Sequence, residues 1–211
     1  MRRHAPDEDA RTLRVARIVE RTAVLGPGVR AVVVVQGCDL RCRGCIAEAT
    51  HPRDGGEPVA VATLAERLAA LPVDGVTYSG GEPFLQAAAL VALADALRAR
   101  QPGWSLMAYT GYRLERLARG TAAQRALLDR LDLLVDGPYV ERWHAPLRWR
   151  GSTNQRLVAL SRRHRDALAP DEPAGMEVEL TPGLDLSWVG VPPRPGFLAT
   201  LEEAIAMRGT T

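Results

Sequence analysis

All three cysteines of this 211-residue chain, Cys38, Cys42 and Cys45, fall within one short stretch. Structural disulfides favour an even number of cysteines spread along a chain. Three thiols in one loop look instead like ligands to a single inorganic centre. The loop follows directly on Ala31-Val32-Val33-Val34-Val35. A short β-branched run bounded by glycines reads as a buried strand. The thiols therefore sit at the C-terminal end of a strand, and that placement constrains the fold more than any other feature.

Apolar periodicity then alternates along the chain. Strands are expected at residues 13–19, 30–36, 76–78, 104–109 and 133–135, and helices at 61–71, 84–100, 112–118 and 121–131. Such alternation implies βαβ units and a parallel sheet. The chain is shorter than the ~250 residues of a closed eight-stranded barrel. The expectation is an α/β fold, a partial (open) TIM-like β/α barrel. Ligands in such folds collect at the C-terminal ends of the strands. The cysteines, Gly80-Gly81-Glu82, Thr110-Gly111 and Asp136-Gly137 each end a strand. After residue 145 the pattern weakens. Residues 149–156 read as a loop or strand edge, 155–160 and 176–180 as strands, 167–175 as a connection, and 196–207 as a final helix. The division expected is a flexible tail over residues 1–12, a core over 13–160 and a C-terminal extension over 161–211 packed on that core.

Composition narrows the class. Hydrophobic residues make up 46% of the chain, as a globular protein requires. Lys and Arg number 27 against 25 Asp and Glu, a balance that gives no reason to invoke nucleic acid. No stretch reaches the ~18 apolar residues of a membrane span, and the polar N-terminus lacks the apolar segment of a secretory signal. The expected location is the cytoplasm, where thiols stay reduced.

The cysteine spacing is Cys38-x3-Cys42-x2-Cys45. Thiolates are the normal ligands of iron–sulfur clusters, and a compact loop can place three of them at three corners of a cubane. With no fourth cysteine, one iron has no thiolate ligand, and an open position is what a catalytic metal site needs. The competing reading is a zinc site completed by His51, in a cysteine-bound zinc or iron–sulfur interaction module without enzymatic activity. The spacing resembles the signature of the radical S-adenosylmethionine (SAM) superfamily. That resemblance implies a [4Fe–4S] cluster whose open iron takes the amine and carboxylate of SAM. One electron from the cluster then breaks the sulfonium bond, giving methionine and a 5′-deoxyadenosyl radical.

Ser79-Gly80-Gly81-Glu82-Pro83 resembles the superfamily motif that holds the amino group of SAM. On its own it is a common strand-to-helix turn. Thr110-Gly111 matches a ribose contact, and Asp136 the aspartate that glycyl-radical activases carry near SAM; either can equally cap a helix. Gly44 stands where many members have an aromatic residue, a departure also found in the anaerobic ribonucleotide reductase activating proteins. It is counted with these cofactor-binding positions. Gln36-Gly37-Cys38, Tyr109-Thr110-Gly111-Tyr112, Val135-Asp136-Gly137-Pro138 and above all Trp149-Arg150-Gly151-Ser152-Thr153-Asn154-Gln155-Arg156 are similar to that family, over residues 13–160.

The family resemblance implies an activase that takes hydrogen from a backbone glycine of a partner glycyl-radical enzyme, with reduced flavodoxin or ferredoxin as electron donor. The alternative is a radical SAM enzyme that modifies a peptide or small molecule in a biosynthetic or defence pathway. The aspartate-x-lysine pattern of some activases is absent after Asp136. The extension, with Trp188-Val189-Gly190-Val191-Pro192-Pro193, reaches beyond the compact family core. It can cap the barrel, bind a partner or shape a pocket; packing as an extra edge is the favoured reading. Trp104, Trp143 and His144 read as packing residues.

Overall fold

A computed structural model describes residues 10–168, 171–180 and 186–208. Residues 1–9 of the expected tail over 1–12 lie outside them, and Thr12 begins the first strand. The chain runs β1 (Thr12–Thr22), β2 (Arg30–Val35), β3 (Glu57–Ala60), α1 (Val61–Ala69), β4 (Gly75–Gly80), α2 (Ala87–Arg100), β5 (Ser105–Thr110), α3 (Leu114–Leu117), α4 (Ala122–Leu128) and β6 (Leu133–Asp136). A hairpin of β7 (His144–Leu147) and β8 (Arg150–Ser152) follows, then β9 (Arg156–Ala159). A second hairpin, β10 (Met176–Leu180) and β11 (Leu186–Gly190), and α5 (Phe197–Arg208) complete it.

Seven strands form one sheet in the order β3-β1-β2-β4-β5-β6-β9. The expected parallel sheet is present as its centre: β2, β4, β5 and β6 run parallel. Its flanks differ from that expectation, because β1 pairs antiparallel with β2 and β3, and β9 pairs antiparallel with β6. A parallel neighbour requires a long crossover, whereas short loops return the chain antiparallel. The stretch between β6 and β9 holds only short elements and no crossover helix. The two ends of the sheet do not pair, so the sheet does not close.

Side chains alternate across each strand, and the two faces are used differently. Ala31, Val33, Val35, Val76, Tyr78, Leu106, Ala108 and Leu134 point into one core with Leu64 and Leu68 of α1 and Leu90, Leu93 and Leu97 of α2. The helical leucines recur at three- and four-residue intervals, which puts them on one stripe facing the sheet. Each contributes about 2 kcal/mol by burial. Met107, Leu133 and Val135 point the other way and pack on Trp149. The long helix expected at 84–100 divides into a 3-10 turn over Pro83–Gln86 and α2. Pro83 starts the turn, and the Glu82 carboxylate accepts from the Phe84 amide, an N-cap contact.

At the opposite end of the strands Arg30 is fully buried. Its guanidinium donates to the Thr77 and Ser105 hydroxyls at 2.7 Å and to the Val76 and Ser105 carbonyls at 2.7 and 2.9 Å. One side chain thus ties β2, β4 and β5 together below the site. Burial lowers its pKa to about 10, so it stays charged at neutral pH. Arg30→Met leaves two buried carbonyls without this donor. It is expected to lower the unfolding free energy by about 2–3 kcal/mol, measured by urea denaturation; an unchanged midpoint would refute the role.

Candidate functional site

A cavity of about 580 Å³ opens on the sheet face away from α1 and α2, floored by Val32, Val34, Ser79 and Tyr109. Cys38, Cys42 and Cys45 line it together with Gly80, Gly81, Glu82, Thr110 and Gly111. The strand ends singled out by sequence are therefore brought to one place. Asp136 and Gly44 are not among the lining residues, although Gly137 is.

The cysteine loop is stapled at its base. Gly37 and Cys38 amides donate to the Thr50 and His51 carbonyls at 2.7 and 3.1 Å. The Gln36 amide group donates to the carbonyls of Ala49 and Pro52. Between the thiols the backbone turns sharply, with φ of +46° at Arg41 and +71° at Gly44. A side chain at Gly44 would be strained and would begin 2.8 Å from a Glu141 carboxylate oxygen. That accounts for the missing aromatic residue.

All three thiols are free. Amides of Leu40 and Arg41 face the Cys38 sulfur, that of Tyr139 faces Cys42, and that of Ala47 faces Cys45. Burial is the main cause that raises each thiol's pKa, and Cys38 and Cys42 raise that of Cys45 further. The thiols keep their protons until a metal displaces them. Three thiols with backbone donors at each sulfur fit an iron–sulfur cluster, whose potential such donors tune. His51 also lines the cavity, but among the described residues no three His, Cys, Asp or Glu side chains close around one ion. A cubane instead gives each thiolate its own iron.

Glu82 joins the strand ends. Its amide donates to the Gly37 carbonyl at 2.8 Å, and the Gly81 amide to that of Val35. A Cβ on Gly81 would lie 2.3 Å from the Gly37 oxygen. The second glycine thus lets β4 reach the base of the cysteine loop. The Glu82 carboxylate is buried and accepts from the Thr110 hydroxyl at 2.8 Å and the Gly111 amide at 2.9 Å. Burial raises its pKa to about 7 against these two donors and the Phe84 amide. The Tyr112 hydroxyl reaches Asp39 in the cysteine loop at 2.6 Å.

Asp136 lies fully buried beneath the site. It accepts from the Leu114 amide at 2.7 Å and pairs with Arg156, which also holds Glu115. Residues 149–156 reach the site as the second hairpin strand and its turn. Trp149, Gly151 and Gln155 line the cavity. Gln155 accepts from the Gly151 amide and donates to the Gly137 carbonyl, while Asn154 donates to that of Pro138.

Sequence reasoning missed two contributors and did not favour a third. His144 lines the cavity and contacts the Tyr139 hydroxyl at 3.1 Å and the Pro192 carbonyl at 3.0 Å. Tyr139 lines it too, and its place just after Gly137-Pro138 was a usable signal. The stretch from Leu186 to Pro192 forms a further wall; shaping a pocket is one of the roles the sequence leaves open for the extension, although packing as an extra edge is the favoured one.

Three thiols, an open sheet end and no fourth cysteine define a protein built around one [4Fe–4S] cluster. Residues 24–158 match a family model described as a 4Fe-4S single cluster domain. The anaerobic ribonucleoside-triphosphate reductase-activating protein of Escherichia coli (strain K12) is 34% identical over 140 residues, 63% of this chain and 89% of that one. Proteins of the same name from Enterobacteria phage T4 and Vibrio cholerae are 32% and 33% identical, over 67% and 63% of this chain and 90% and 88% of theirs. The chain belongs to the 4Fe-4S single-cluster family, in the radical SAM branch of the anaerobic ribonucleoside-triphosphate reductase-activating proteins. A [4Fe–4S] cluster and SAM are its cofactors.

The pKa of Glu82 is about 7 in the fold against an ordinary 4.5. A raised folded pKa contributes stability that is complete below the ordinary value and is lost as pH rises through the folded one. Wild-type unfolding free energy should therefore fall between about pH 5 and about pH 8 more steeply than that of Glu82→Gln; equal slopes would contradict the assignment. Arg156→Met, which strips Asp136 of its main cation, should cost on the order of 2 kcal/mol in the same assay.

Proposed function

We propose that this chain is an activase that installs a glycyl radical on a partner anaerobic ribonucleotide reductase. The observation that carries this reading is the convergence of Cys38, Cys42 and Cys45 with the Gly80-Gly81-Glu82 and Thr110-Gly111 turns on one cavity. The sheet is read as a partial barrel of the radical SAM type, formed by residues 13–160, with residues 161–211 as an extension packed on it. No helix among the described residues is long and apolar enough to cross a membrane, and the activase is assigned to the cytoplasm.

Cys38, Cys42 and Cys45 hold the cluster, which when bound and reduced supplies the electron for SAM cleavage. Gly80, Gly81 and Ser79 offer backbone and hydroxyl surface against which the methionine end of SAM lies. Glu82 faces its ammonium group. A cation held there would favour the ionised carboxylate. Thr110 and Gly111 fix the Glu82 carboxylate and present the ribose contact. Asp136 acts at one remove, holding Arg156 and the start of α3 so that Gly137 keeps its place in the wall. Gly44 lets the loop turn between the second and third thiols. Reduced flavodoxin or ferredoxin is the assigned electron donor. The open mouth of the sheet suits a loop of another protein, which favours the activase over small-molecule modification.

The test is anaerobic. Reconstituted protein, SAM and a strong reductant are mixed with the glycyl-radical reductase of the same organism, and the glycyl radical is followed by electron paramagnetic resonance. A glycyl doublet dependent on all three cysteines is expected, with Cys42→Ala abolishing it. SAM cleavage without any doublet on the reductase would overturn the partner assignment.

A further inference from the structure

Ser152 and Asn154 lie in the stretch from Trp149 to Arg156 but are not among the residues that line the cavity. With Gln155 they grip the backbone that leads out of β6. Gln155 donates to the Gly137 carbonyl at 3.2 Å, and Asn154 donates to the Pro138 carbonyl at 2.7 Å. The Ser152 hydroxyl accepts from the Val140 amide at 3.2 Å. Three consecutive peptide groups are thus each held by one side chain.

The middle group is the one between Pro138 and Tyr139. Its N–H belongs to Tyr139 and faces the Cys42 sulfur. The other backbone donors at the thiols, from Leu40, Arg41, Cys42 and Ala47, belong to the cysteine loop itself. Tyr139 brings a donor from a different part of the fold. A peptide group is planar, and in its trans form the C=O and N–H point in opposite directions. Gripping the Pro138 oxygen therefore aims the Tyr139 hydrogen. A carbonyl only accepts, so Nδ2 of Asn154 is the atom that reaches it. Bonds in series polarise one another, and the Asn154 bond strengthens the donor as well as aiming it. The other end of the same side chain, Oδ1, is buried without a hydrogen-bond partner among the described residues. A buried unpaired acceptor costs stability, which points to a role for the nitrogen beyond holding the fold.

We propose that Asn154 is a positioning residue for the cluster: through the Pro138–Tyr139 peptide it holds a hydrogen-bond donor on the Cys42 sulfur and so raises the reduction potential. The inference rests on the reading of Cys42 as a cluster ligand and is independent of the partner. Reduction adds negative charge to the cluster and its sulfurs, and an N–H aimed at a sulfur stabilises that charge. Without it the cluster is harder to reduce, and the electron for SAM cleavage is harder to supply.

The test is an anaerobic redox titration of the reconstituted, SAM-free protein, with the reduced cluster followed by electron paramagnetic resonance and iron content measured on each sample. Asn154→Leu and Asn154→Ala remove the donor, and Asn154→Gln keeps an amide. Both donor-less variants are expected to make reduction about three- to tenfold less favourable, tenfold being about 59 mV for one electron. Asn154→Gln should stay within about twofold of wild type. Leu93→Ala, a cavity in the core on the other face of the sheet, should lower the unfolding midpoint and leave the potential in place. An unchanged potential in either donor-less variant at full cluster content overturns the role of Asn154 alone. An equal fall in Asn154→Gln and Asn154→Leu also overturns it, because the amide is present in one and absent from the other. Failure of both donor-less variants to hold a cluster overturns it too, by making Asn154 a requirement for the loop's fold. A cluster that loads and titrates unchanged in Cys42→Ala overturns the ligand reading and this inference together.

Discussion

The buried carboxylate of Glu82 is where β2, β4 and β5 meet. Its backbone holds Gly37 at the base of the cysteine loop, and its oxygens hold Phe84, Thr110 and Gly111. Hydrogen bonds to a charged group are worth about 1.5–3 kcal/mol each, and burying an uncompensated carboxylate costs several kcal/mol. Burial outweighs the donors, which is why this acid titrates near neutrality instead of in the ordinary carboxylate range. The clamp is at once a structural joint and a group that titrates near neutrality. A cation arriving beside it settles the balance toward the ionised form.

The clamp works only because the sheet is used asymmetrically. One face is committed to α1 and α2 through leucine packing, while the other keeps Val32, Val34 and Tyr109 for the cavity. Leaving the sheet unclosed provides access from the side. It also exposes a gap, and the two hairpins answer it from different ends. Trp149 anchors one against Met107, Leu133 and Val135, and His144 links it to the other at Pro192. The Arg30 cluster holds the same three strands at the far end, so the strand tips that carry the chemistry are braced from below.

What was legible in sequence was local. The valine run, the helical leucines and the cysteine spacing each act within a few residues, and the strand ends they mark do converge. Gly81 was readable as part of a strand-to-helix turn, whereas its close approach to the Gly37 backbone depends on a neighbouring strand. Asp136 was recognisable as a strand-end acid, but its commitment to Arg156 depends on a strand that returns twenty residues later, and that to the Leu114 amide on a helix that starts twenty-two residues earlier. The antiparallel flanks were hidden because β3 is short and Pro58-containing, and because β9 has no crossover helix to announce it. The role of residues 186–192 depends on contacts with Arg17 and His144, separations over which periodicity carries no information. His144 was assigned to packing for the same reason.

The account turns on three protein thiolates leaving one iron for SAM. The most direct measurement is electron–nuclear double resonance on the reduced, reconstituted cluster with SAM isotopically labelled at its methionine amine and carboxylate. The account predicts hyperfine coupling from both labels to the cluster, present in wild type and lost when Cys42→Ala removes a ligand. A fully loaded [4Fe–4S] protein that binds SAM with no coupling from either label would contradict it.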